Sequence, residues 1–134
     1  MSVAERNASG TISVFVVDDA PELRELFRYA MEADPRFEVV GDAGDGRSAI
    51  EGIAETQPAA VLLDLAMPDM DGFEAIPEIR RDQPEAAIIV LSAFPADRME
   101  KKARERGADC YVEKGTSLAE LRRVTRDAVQ SHVA

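Results

Sequence analysis

With 134 residues, 46% of them hydrophobic, the chain can bury a core and is too apolar to be disordered. Its formal net charge of −10 argues against nucleic-acid binding by this segment and suits metal ions or a basic partner surface. No apolar run approaches the roughly 20 residues that span a bilayer, and the polar segment 1–10 lacks a signal peptide's apolar centre and reads as a loose tail.

Strand-like and helix-like segments then alternate. Ile12–Val17 is apolar and β-branched and ends in Asp18-Asp19. Glu22–Ala33 sets Leu23, Leu26, Phe27, Ala30 and Met31 at helical spacing. Phe37–Val40 reads as a short strand closed by Gly41, and Ser48–Thr56 as a helix with Ala49, Ile50, Ile53 and Ala54 on one face. Ala59–Leu63 is a strand that delivers Asp64, and Met67-Pro68-Asp69-Met70-Asp71-Gly72 follows it. Gly72–Asp82 is helical with Phe73, Ile76 and Ile79 inward, but Pro77 predicts a late start near Ala75–Pro77 or a bend there. Ala86–Leu91 is a strand ending in Ser92. Ala96–Arg106 is a charged helix with Gly107 as its C-terminal glycine. Asp109–Glu113 is a strand ending in Lys114. Leu118–Val129 is a helix with the stripe Leu118, Leu121, Val124, Ala128, Val129, opened by the capping box Ser117-Leu118-Ala119-Glu120.

Five β–α units follow. The strands are continuous apolar runs, so both faces are buried and the sheet is parallel. Right-handed crossovers make this a three-layer α/β sandwich. Parallel sheets bind ligands beyond the carboxyl ends of their strands, where Asp18, Asp19, Asp64, Ser92 and Lys114 all fall. Three carboxylates, a hydroxyl and an ammonium on one edge suit a divalent cation and a phosphoryl group. Cys110 is the single cysteine and reads as a small core residue. Arg80-Arg81, Lys101-Lys102 and Arg122-Arg123 read as solvated helix faces.

This ordered set resembles the receiver domain of two-component response regulators, over Thr11 to about Val129. The signature is the acidic pair after the first strand, Asp64 in Leu-Asp-Leu-Ala-Met-Pro-Asp-Met-Asp-Gly after the third, Ser92 after the fourth and Lys114 after the fifth. The resemblance implies a flavodoxin-like (βα)5 fold of strand order 2-1-3-4-5, with a receiver unit at residues 11–131. It implies Mg²⁺, bound directly by Asp19, with Asp18 helping directly or through water. Asp64 and the backbone carbonyl of Ala66 supply further oxygens. Asp64 is then the phosphoacceptor, with Ser92 and Lys114 on the phosphoryl oxygens. Tyr111 matches the family's switch aromatic; alternatively it is a plain strand residue. The alternative for Asp18 or Asp19 alone is a cap on the following helix, and one residue can do both jobs. Ala66 and Phe94, two past Asp64 and Ser92, fall where the family tunes dephosphorylation. Gly115 stands where the family usually has proline, so whether the preceding peptide is cis stays open. His132, the lone histidine, lies in the C-terminal tail and is not read as a phosphodonor.

The partners implied are a sensor histidine kinase or phosphotransfer protein, and a downstream protein on the face of the fourth helix, fifth strand and fifth helix. No nucleic acid or membrane is implied for this segment, the setting is cytoplasmic, and a phosphorylation-dependent homodimer is one form of output. Alternatives are the receiver part of a longer DNA-binding regulator and an aspartyl-phosphate-type phosphatase. The phosphatase usually has a second aspartate where Ala66 stands. A flavodoxin-like cofactor module is disfavoured because Asp18-Asp19-Ala20-Pro21 would repel a phosphate.

Overall fold

The structure is a computed structural model that describes residues 10–67 and 70–133. The expected N-terminal tail lies outside them except for Gly10, as do Pro68 and Asp69 of the loop after Asp64. The elements are β1 (Ile12–Val17), α1 (Pro21–Glu32), β2 (Phe37–Ala43), α2 (Gly46–Thr56), β3 (Ala60–Asp64), α3 (Gly72–Asp82), β4 (Ala87–Ser92), α4 (Ala96–Arg106), β5 (Cys110–Glu113) and α5 (Leu118–Val133). All strand pairings are parallel and the order is β2-β1-β3-β4-β5, as expected.

The apolar runs explain the layering. β3 and β4 are buried along their whole length, and β1 nearly so. One face of the sheet gives Val14, Val16, Leu62 and Ile89 to a core closed by Phe27 and Met31 of α1 and by Leu121 and Val129 of α5. The other gives Phe15, Val17, Val61, Leu63, Ile88 and Val90 to a core closed by Ile53 of α2, Ile76 and Ile79 of α3, and Ala103 of α4. Each fully buried Leu, Ile or Val stabilises the fold by roughly 1.5–3 kcal/mol before entropy is counted.

Several expectations need correction. β2 does not close at Gly41 but runs to Ala43, with a register shift opposite Val14 and Phe15. Gly41 is needed because a Cβ there would lie 2.7 Å from the Phe15 ring. α3 starts at Gly72, without the delay expected from Pro77. The Asp71 carboxylate caps it by accepting from Glu74 N at 2.9 Å. Pro77 has no N–H for the Phe73 carbonyl, which instead accepts from Arg106 Nη1 at 3.3 Å. Leu26 is not core but 42% exposed, and Ala54 is exposed as well. Cys110 is only half-buried, because β5 is an edge strand. The capping box is half made: Ser117 Oγ accepts from Glu120 N at 3.1 Å, while the Glu120 carboxylate pairs with Arg123.

Candidate functional site

The sheet carries the predicted residues to one edge. β1, β3, β4 and β5 end at Val17, Asp64, Ser92 and Glu113, so Asp18, Asp64, Ser92 and Lys114 emerge side by side. Carboxylate oxygens of Asp18, Asp19 and Asp64 lie within 4.8 Å of one another. Asp18 and Asp64 are 1% and 3% exposed, whereas Asp19 is open to solvent. Lys114 Nζ sits 2.9 Å from Asp18 Oδ2 and 3.3 Å from Asp64 Oδ1. The Lys114 N–H also donates to the Ser92 carbonyl at 2.7 Å, which ties β5 to β4 at this edge.

Such a cluster is electrostatically unfinished. Burial, and then the neighbouring Asp18 charge, push the Asp64 carboxyl up to about 6, against the pull of Lys114. Burial opposes the Lys114 ammonium, yet its two carboxylate partners hold its pKa above the ordinary lysine value. Asp18 Oδ1 accepts from Ala20 N at 2.9 Å, a turn that leads into α1. The buried Asp18 Oδ2 receives no aligned hydrogen bond, only the charge of Lys114 nearby. A buried carboxylate oxygen whose one cationic neighbour is poorly aligned is costly. The three carboxylates that meet here offer hard oxygen donors that fit a divalent cation such as Mg²⁺.

Ser92 is buried, its Oγ accepting from Phe94 N at 3.0 Å. Asp64 Oδ1 similarly accepts from Ala66 N at 3.2 Å. Ala66 and Phe94 are both exposed at the mouth, Phe94 by 46%. Gly72 lets the loop after Asp64 fold back tightly, since a Cβ there would lie 2.6 Å from the Asp64 carbonyl oxygen.

A family model for the response regulator receiver domain matches residues 14–126. The chain belongs to that family. The response regulator protein VraR of Staphylococcus epidermidis is 36% identical over 110 residues, 82% of this chain and 53% of the relative. The chain thus spans about half the length of the curated relatives it matches. The crystal structure of a LuxR-family two-component response regulator from Aurantimonas sp. SI85-9A1 superposes with TM-score 0.86 at 33% identity, covering 90% of this chain and 86% of that one. The signal receiver domain of the response regulator NarL from Mycobacterium tuberculosis gives 0.84 at 30%, covering 90% and 97%.

As a receiver domain of two-component signalling, the chain is a signalling unit. No described helix is long and apolar enough to cross a membrane. Lys114 is followed by Gly115 at φ +108°, a conformation glycine adopts freely, and the peptide between them is trans. Tyr111 is half-buried and its hydroxyl donates to the Phe94 carbonyl at 2.8 Å, so it contacts the Ser92 loop rather than standing free.

Sequence reasoning missed some residues that build this edge and its opposite. Glu113 accepts from Ala96 N at 2.8 Å and so fixes the start of α4. Arg24 donates to the Asp18 carbonyl at 2.8 Å. Two arginines read as solvated are part-buried and bonded to the backbone of other elements. Arg80 reaches the carbonyls of Gly107, Pro84 and Ala86 and the Asp109 carboxylate, and Arg122 donates to the Ala30 carbonyl. His132 lies in the last turn of α5 rather than in a tail, 2.8 Å from Asp109.

Proposed function

We propose that this receiver unit, residues 11–131, accepts a phosphoryl group on Asp64 from the phosphohistidine of a sensor histidine kinase or phosphotransfer protein, in the cytoplasm. The observation that carries this reading is the set of three clustered carboxylates with the Lys114 ammonium against Asp18 and Asp64. Asp19 and Asp18, one oxygen of Asp64 and the Ala66 carbonyl are the groups that would hold Mg²⁺. When bound, Mg²⁺ supplies positive charge that offsets repulsion between the carboxylates and the incoming phosphoryl oxygens.

The remaining steps belong to the chain. A free Asp64 oxygen attacks phosphorus, the P–N bond to the donor imidazole breaks, and its electron pair returns to that nitrogen. The product is an acyl phosphate on Asp64. Lys114, already drawn to this edge, shifts its charge onto the new phosphoryl oxygens, and the Ser92 hydroxyl donates to another. Moving Ser92 changes its bond with Phe94 N, and through the Phe94 carbonyl this reaches Tyr111. The face formed by α4, β5 and α5 then differs between the two states and meets a downstream protein or a second copy. Driving such an equilibrium from 1:99 to 99:1 needs about 5.5 kcal/mol of differential interaction. Loss of the phosphoryl group is also assisted at this edge, with Ala66 and Phe94 setting its rate.

The test is intact-protein mass spectrometry after incubation with a phosphoramidate donor. One phosphoryl group should add in Mg²⁺ and none with a chelator present. Uptake that ignores the chelator, or more than one group per chain, would overturn the reading. A second reading, the receiver segment of a longer DNA-binding regulator, is favoured by the half-length match to the curated relatives. It shares the same chemistry and differs only in output.

A further inference from the structure

We propose that Arg24 is a positioning residue that aims the Asp19 carboxylate into the cation site, an inference that rests on the Mg²⁺ reading above. The Asp18 carbonyl belongs to the peptide that joins Asp18 to Asp19. Arg24 Nη1 donates to that carbonyl at 2.8 Å from the first turn of α1. The same peptide segment is held at two further points. Asp18 N donates to the Ala43 carbonyl at 3.1 Å, and Asp18 Oδ1 accepts from Ala20 N. Asp18 is therefore fixed by its N–H, its carbonyl and its carboxylate.

Asp19 differs. Its carboxylate is exposed and accepts no hydrogen bond among the described residues, yet it lies within the 4.8 Å cluster with Asp18 and Asp64. No hydrogen bond steers it, so the backbone that carries Asp19 sets where its side chain starts, and Arg24 holds the peptide plane just before it. The opposite wall is shaped for this arginine. At Gly44, after β2, a Cβ would lie 2.8 Å from Arg24 Nη1. Gly44 leaves the guanidinium room to reach the carbonyl.

Charge and positioning predict opposite signs. Arg24 is a cation near a cation site, so by Coulomb repulsion its removal should tighten Mg²⁺ binding. If it orients Asp19, its removal should weaken binding. Mg²⁺ is titrated into the parent, Arg24→Met, Arg24→Lys, Gly44→Ala and the double variant. Binding is followed by calorimetry and by the amide resonances of Asp18–Ala20, with thermal unfolding run alongside.

Arg24→Met should weaken Mg²⁺ by about tenfold, the usual scale for groups that orient a metal ligand. Arg24→Lys, which keeps one donor, should fall between. Gly44→Ala should push the guanidinium aside and weaken binding in the same direction. It should add nothing in the Arg24→Met background, because the two share one cause. Gly44→Ala also tests the idea should Arg24→Met not fold. Unchanged or tighter binding in either single variant, or additive effects in the double, overturns the role of Arg24 alone. A parent that binds no Mg²⁺ overturns the Mg²⁺ reading and this inference with it.

Discussion

At the amino ends of β4 and β5, Asp109 has its groups engaged. Its Oδ2 accepts from Arg80 Nη2 at 2.7 Å and from Ile88 N at 2.8 Å, and Oδ1 meets His132 Nε2 at 2.8 Å. Its carbonyl accepts from Arg104. At the carboxyl ends of the same sheet, Asp18, Asp19 and Asp64 crowd together with one ammonium, and one buried oxygen lacks an aligned donor. Both edges use aspartates and cations. The first closes its hydrogen bonds and so holds elements together. The second leaves charge unbalanced, which costs stability and leaves room for a cation and a phosphoryl group.

The largest break between the edges should be chemical. Asp64→Asn should take up no phosphoryl group, read as the absence of added mass. A variant that labels normally removes Asp64 from the reaction. Asp109→Asn, at the closed edge, should label at the parent's rate at a temperature where it is folded.

Stability should show the reverse order. Arg80→Met leaves the carbonyls of Gly107 and Ala86 without their donor, and Asp109 Oδ2 with Ile88 N alone. The loss should be about 2–3 kcal/mol, from several part-buried groups each worth about 1 kcal/mol or more. Chemical denaturation measures it, and a loss under about 0.5 kcal/mol, the scale of an ordinary surface change, would sink the idea that this edge is structural.

The open edge was legible in the sequence and the closed one was not. Asp18, Asp64, Ser92 and Lys114 each end an apolar run, and parallel strands must bring such ends together. The burial of Arg80 depends on carbonyls that fold back onto it, Gly107 being 27 residues away. That of Arg122 depends on Ala30, 92 residues away. No charge pattern along a helix contains that information. Gly41 misled in the same way: glycine reads as a strand end, but here it makes room for Phe15 from the neighbouring strand. Pro77 reads as a helix breaker, and the Arg106 side chain that answers its missing N–H comes from another helix.

Between these lies the lifetime of the phosphorylated state. Hydrolysis needs a water held in line behind phosphorus. Ala66 and Phe94, exposed at the mouth, offer no side-chain hydrogen bond to orient it. The isolated phosphoprotein should last many minutes. Ala66→Asn and Phe94→Glu should each shorten that by roughly tenfold, less than the roughly 10²–10⁴ of a fully positioned proton-handling group. Decay of the parent within seconds, or no acceleration in either variant, would defeat the argument.

The finest distinction is the pH dependence of stability without Mg²⁺. Asp64 titrates near 6 in the folded chain, against an ordinary value of 3.8. Between those two values the folded state holds a proton that the unfolded state has released. Stability from this group is therefore present at low pH and is lost as pH rises through 6. Asp64→Asn has no such proton. Its advantage over the parent should be small near pH 4 and grow to about 1–2 kcal/mol by pH 7, somewhat below the full shift because Lys114 loses one of its two partners. Saturating Mg²⁺ should shrink the advantage by stabilising only the parent's charged cluster. Paired unfolding curves at pH 4.5, 6 and 7.5, with and without Mg²⁺, give the result. A constant difference across that range would mean that Asp64 carries its charge without cost, and that the open edge is less strained than its geometry implies.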